Sequence, residues 1–162
     1  MRKVLEPFTL LALGILVSIT IRALFGDDSL PLRIPVRVDS AGNPSEWGSP
    51  IMLLTLPSVA VVIYLLFTVV TKVPSIFHYP VQVTMRNRLR LQAAAFDMIA
   101  WLKLEFVCLF TWVQWATVRV VRHPELGLPP QISPFILVAV FGTIACYAAI
   151  MFRLERQGKG LD

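Results

Sequence analysis

The residues able to do chemistry in this chain are few, and the most unusual of them sit in apolar surroundings. Lys103 and Glu105 interrupt the run FDMIAWLKLEFVCLFTWVQWATV at 96–118, where Asp97 is the second residue. Arg22 lies near the end of FTLLALGILVSITIRALF at 8–25. An ionised side chain in hydrocarbon is costly unless it meets protein, a cavity or the interface. Placed on a helix at about 100° per residue, Asp97, Trp101, Glu105, Cys108, Trp112 and Trp115 share an arc of about 80°. Gln92, Lys103 and Gln114 recur every eleven residues on nearly the opposite side. Lys103 and Glu105 therefore cannot pair on their own helix, and each needs a partner elsewhere, or water. For Asp97 and Lys103 the ordinary outcome is to snorkel to the nearer headgroups. Glu105 lies deeper, either in a structural ion pair or as a functional group such as a proton or ion site. Arg22 snorkels outward, or docks the following loop through Asp27, Asp28 or Glu46. The tryptophans are packing residues or interface anchors before they are a cofactor box.

Other chemistry is sparse. A metal site wants clustered His, Cys, Asp and Glu, but His78 and His123 fall on opposite sides of the arrangement derived below. Cys108 and Cys146 lie in apolar runs, where cysteine behaves as a small hydrophobe. No phosphate-binding, dinucleotide-binding or nucleophile-elbow pattern is present. The expectation is a non-catalytic protein without metal or cofactor, and nothing in the sequence argues positively for a quinone or pigment.

The elements that must hold these residues are membrane-like. Of 162 residues, 56% are hydrophobic and 15% charged, with mean hydropathy +0.70. Soluble domains carry about 25% charge. Apolar residues gather into runs at 8–25, 51–71, 96–118 and 132–152, each near the about 20 residues a bilayer core requires. Lipid offers no partner to an open backbone, so such runs are helices. The predicted fold is an all-α integral membrane protein, one domain over 1–162, with four transmembrane helices and a structured loop at 26–50. The opening MRK and apolar run have the outline of a signal peptide, but no small-x-small cleavage site follows, which favours a retained helix.

Orientation follows from basic residues in short loops. With the amino terminus inside, Arg2, Lys3, Lys72, Arg86, Arg88, Arg90, Arg153, Arg156 and Lys159 are inner, against Arg33, Arg37, Arg119 and Arg122 outside. Both termini are then cytoplasmic and the loop extracytoplasmic. The net charge of +5 is an orientation signal and not a nucleic-acid footprint. Thr84 caps a third helix starting near Met85, whose first turns (84–95) form a basic extension with Arg86, Arg88 and Arg90. Pro57 favours a kink in the second helix.

The loop contains LPLRIPVRVDSAGNPSEWGSP at 30–50. Its prolines exclude a helix, RIPVRVD alternates like a short strand, and SAGNPSE is a turn. Trp47 suits headgroup depth. This segment, followed by an apolar helix, resembles the bacterial domain-of-unknown-function 1648 family, as does the later YPVQVTMRNRLR leading into WLKLE. Pro31, Pro35, Gly42, Pro44, Trp47 and Gly48 match that pattern. Arg37 stands where histidine is usual, Val38 for an aromatic, Ser45 for aspartate and Pro50 for a basic residue, so loop shape carries over and His-dependent chemistry does not. The resemblance implies a bacterial inner-membrane protein related to a toxin-immunity and signalling protein. Its partner would be a protein or peptide met by Arg37, Asp39, Glu46 and Trp47. The alternatives are an accessory subunit of a larger respiratory or photosynthetic membrane complex and, less readily, a small transporter using Glu105.

Overall fold

A computed structural model describes residues 2–26, 30–38, 44–73, 81–85, 87–123 and 132–159. Helix α1 runs Arg2–Phe25, and strands β1 (Ile34–Val38) and β2 (Pro44–Gly48) follow. A 3-10 turn, Pro50–Leu54, then leads into α2 (Thr55–Val70), α3 (Arg88–Arg122) and α4 (Ile132–Lys159). Three helical stretches are long and apolar enough to cross a membrane, Val4–Phe25, Pro50–Val70 and Val138–Gln157. These correspond to the first, second and fourth expected spans. The α3 helix is not among them, because its charged and amide side chains lower its hydropathy.

The long α3 is the centre of the packing. Ala100, Val107, Gln114 and Val121 are buried at intervals of seven, with Lys103 and Val118 beside them. This is the spacing of a helix–helix seam. Its principal partner is α1, which buries Leu5, Thr9, Leu16, Thr20 and Ala23. Small residues at several of these positions let the backbones approach, and Thr111 Oγ1 of α3 reaches the Ala12 carbonyl of α1 at 3.1 Å. Many other hydroxyls stay on their own helices: Thr9, Thr20, Ser58 and Thr68 each donate to the carbonyl four residues back. That satisfies the hydroxyl without asking a neighbour for a partner.

Helix boundaries differ from the expected ones for local reasons. Helix α1 begins at Arg2 and not at Phe8, and it carries Pro7 inside it, so the carbonyl of Lys3 loses the N–H it would otherwise accept. Gly26 closes α1, and its N–H reaches the Arg22 carbonyl at 3.1 Å. A Cβ there would come within 2.5 Å of that oxygen. The cap of α3 is Asn87 and not Thr84 as expected; Thr84 instead pairs with Asn87 across the turn that precedes the helix. Thr84 N–H donates to Asn87 Oδ1 at 2.7 Å and Asn87 N–H to Thr84 Oγ1 at 3.3 Å. Regular helix begins at Arg88, a few residues later than Met85.

The loop folds as an antiparallel hairpin, with Ile34 opposite Gly48, Pro35 opposite Trp47 and Arg37 opposite Glu46. An isolated two-stranded hairpin is marginal; this one is pinned by Ile34, 2% exposed, in a cluster with Ala23, Leu53, Val118 and Val121. A second cluster at the other end of α3 joins Val81, Leu91, Ala95 and Met151. The turn at 39–43 lies outside the described residues.

The Pro57 expectation resolves into a specific hydrogen-bond defect. Proline has no N–H to return to the carbonyl four residues earlier, that of Leu53. Gln114 Nε2 supplies the donor from α3, at 3.0 Å, and also donates to Thr20 Oγ1 of α1 at 2.9 Å. One amide therefore ties three elements together. Gln114→Leu should destabilise the protein by about 1–2 kcal/mol, measured by denaturant titration in mixed micelles. In a Pro57→Ala background, which restores the missing N–H, the same change should cost clearly less. Equal cost in both backgrounds would refute this account of the clamp.

Candidate functional site

Lys103, placed by the seam, points into the bundle and not toward the headgroups. It is 5% exposed, and its Nζ lies 2.6 Å from Glu6 Oε2 of α1. Outward snorkelling is thus replaced by an internal ion pair. The other carboxylate oxygen, Oε1, accepts from the Tyr64 hydroxyl of α2 at 2.5 Å. Lys103 also lies 3.4 Å from Thr68 Oγ1 and 4.5 Å from the centroid of the Tyr64 ring. The ring face adds a cation–π contact to the pairing. A cavity of about 440 Å³ adjoins the pair, lined by Glu6, Thr68, Thr71, Lys72, Ile99, Ala100 and Lys103.

Every strong donor and acceptor of this group has a partner. Both Glu6 oxygens are occupied, and the ammonium is shared among three helices. Such a set locks helices together. The neighbouring cavity gives room for a small polar molecule.

Glu105 lies on another face and is received by α4. Thr143 Oγ1 donates to Glu105 Oε1 at 2.5 Å. The buried Oε2 has no hydrogen-bond partner among the described residues. Lys103 and Glu105 thus look to different neighbours, as their spacing requires. On the Glu105 arc, Cys108 and Trp115 are exposed, while Asp97, Trp101 and Trp112 are half-buried.

The hairpin residues remain apart from this core. Glu46 and Trp47 are exposed on β2, with the Arg37 backbone opposite Glu46. Asp39, Arg86, and the proposed Arg22 partners Asp27 and Asp28 lie outside the described residues. Arg88 and Arg90 are exposed in the first turn of α3. Arg22 is exposed near the end of α1, close to Arg119 and Arg122.

Glu6, Tyr64, Thr68, Thr143 and the clamping role of Gln114 are absent from the expectations. The eleven-residue line of Gln92, Lys103 and Gln114 was the available signal for the inward polar face. A helix expected to begin after Pro7 leaves Glu6 outside, whereas α1 begins at Arg2 and includes it.

Compared with known proteins, the chain matches no family model, no curated protein and no solved structure.

Because Lys103 is the more buried partner, removing its counter-charge is the more damaging change. Glu6→Gln should cost about 2–3 kcal/mol, Lys103→Met less, and the double variant less than Glu6→Gln alone. Unfolding free energies in bicelles check the order. A Lys103→Met cost equal to that of Glu6→Gln would contradict it.

Proposed function

We propose that this chain is a non-catalytic inner-membrane protein that binds a protein or peptide partner through its hairpin. The observation that carries this reading is the contrast along that hairpin. Ile34 is locked into the helix cluster, while Trp47, two residues along β2 from Ser45, is 58% exposed. A large aromatic on a pinned strand is a contact residue with little ordering cost. Glu46 beside it, exposed on the same strand, supplies charge for selectivity. The resemblance to the domain-of-unknown-function 1648 family favours an immunity- or sensor-like role, with the basic start of α3, Arg88 and Arg90, as the inner output.

In this reading α3 is the fourth span. Its 35 residues extend about 52 Å, beyond the about 30 Å of a hydrocarbon core. Its low hydropathy is compatible with spanning because Lys103 and Gln114 are turned onto α1 and α2. The basic residues then put both termini in the cytoplasm and the hairpin outside.

A second reading, an accessory subunit of a larger membrane complex, draws on α4. Its Phe135, Val138, Phe141, Ile144, Ile150 and Phe152 are all exposed. Lipid or neighbouring subunits would cover that face.

Topology is checked in a Cys108→Ala/Cys146→Ala background. Cysteines at Ser45 and Gln157 should react with an impermeant maleimide from opposite sides of the membrane. Reaction from the same side would reverse the arrangement. For the partner, purification in mild detergent should recover a protein or peptide that Trp47→Ala loses without lowering yield or thermal stability. Deletion should produce toxin sensitivity if the immunity-like role holds. Stoichiometric recovery inside a large complex, indifferent to Trp47→Ala, would favour the subunit reading.

A further inference from the structure

The cavity beside Lys103 reaches the end of α2, where Lys72 lines it together with Glu6 and Thr71 and is itself exposed. A lysine just past a helix ordinarily serves the last carbonyls, but those of α2 are already satisfied. Thr71 N–H reaches the Phe67 carbonyl at 3.2 Å, and Thr71 Oγ1 donates to that of Thr68 at 2.8 Å. Lys72 N–H reaches the Val69 carbonyl at 2.8 Å and Val73 N–H that of Val70 at 3.2 Å. The Lys72 ammonium is not needed for the cap.

Nor does a carboxylate balance it. The sequence from Trp47 to Phe96 contains neither aspartate nor glutamate. Glu6 is held by Lys103 and Tyr64 and has a further partner besides. Asp97 lies near Tyr147 of α4, and Glu155 of α4 has a partner of its own. Among the described residues Lys72 pairs with no acid. The start of α1 and the end of α2 bring helix half-charges of opposite sign, which cancel. Two ammonium groups and one carboxylate therefore leave the cavity with one positive charge, even with Glu6 counted wholly against Lys103.

The surroundings select the kind of anion. Lys72 lies two residues past the apolar stretch Pro50–Val70, at the depth where a spanning helix meets lipid phosphates. At about 100° per residue it stands in one column with Leu65 and Val69, which are 53% and 56% exposed. A hydrocarbon chain lying along that column would bring its phosphate to Lys72, and lysine binds phosphate as a compact point charge. The cavity of about 440 Å³ has room for the headgroup. Thr71 Oγ1, its proton given to a carbonyl, keeps lone pairs that can accept from a headgroup hydroxyl.

We propose that Lys72 binds the phosphodiester of an anionic phospholipid, with the headgroup in the cavity beside Thr71 and an acyl chain along Leu65 and Val69. The site uses no part of the hairpin and is independent of the hairpin's partner.

The test uses the purified full chain in a neutral detergent, with lipid binding followed by native mass spectrometry and by thermal stability. Phosphatidylglycerol should bind and stabilise, while phosphatidylcholine should do so far more weakly. Lys72→Gln should weaken phosphatidylglycerol binding about tenfold, since a charge-assisted hydrogen bond is lost. Lys72→Arg should largely retain it. The Lys72 side chain is exposed and other groups cap α2, so melting of Lys72→Gln without lipid should be unchanged. Arg156 is exposed where α4 packs on the start of α3 and does not line the cavity, so Arg156→Gln should leave binding intact. Equal affinity for the two lipids, or unchanged affinity in Lys72→Gln, would overturn the site. Weakening by Arg156→Gln as great as by Lys72→Gln would reduce binding to diffuse attraction toward a basic surface, and would overturn it too. Inorganic phosphate reproducing the full stabilisation would overturn its assignment to lipid.

Discussion

The seam between α1 and α3 is the interaction on which the other contacts depend. It supplies the most extensive helix pairing, and the polar side chains at it bind further elements. Lys103 brings in α2 through Tyr64 and Thr68, and Gln114 brings in the start of α2 through the Leu53 carbonyl. On another face, Glu105 meets α4. An apolar environment does not push apolar helices together, so packing and unsatisfied polar groups must select neighbours. Here the selectors sit at defined heights: Lys103 near one end of the seam, Gln114 near the other.

Gln114 also explains how a proline is accommodated inside a long apolar segment. A proline normally frees a carbonyl, and a freed carbonyl without water is costly. The chain meets this by changing from 3-10 to α geometry at Leu54–Thr55 and by directing an amide from α3 to Leu53. The defect in α2 thereby becomes a docking point. A leucine at 114 would suit the surrounding apolar packing but would leave that point without its donor.

Much of the architecture was legible because helix length and apolarity are local properties. The runs at 8–25, 51–71 and 132–152 are readable without any knowledge of neighbours, and each corresponds to an apolar helix. The eleven-residue repeat likewise separates Lys103 from Glu105 before any partner is known. The partners themselves are non-local. Glu6 is 97 residues from Lys103 in sequence, and Thr20 is 94 from Gln114. Neither Tyr64 nor Thr143 has a sequence context that marks it as a counterpart. The hairpin was half legible: alternation and prolines gave its strands, but the burial of Ile34 depends on Ala23, Val118 and Val121 converging from two helices.

The same physics treats cations at the two ends of the bundle in opposite ways. Lys103 is buried because its counter-charge arrives on α1, and desolvation is offset by a close carboxylate, a hydroxyl and a ring face. At the other end Arg22 and Arg122 are exposed, and Arg119 leans on the face of the Trp115 ring. Guanidinium is more weakly hydrated than ammonium and keeps its charge through any burial, so it tolerates stacking on an aromatic face. A compact ammonium suits a fixed pair, where one carboxylate oxygen takes the lysine and a tyrosine holds the other.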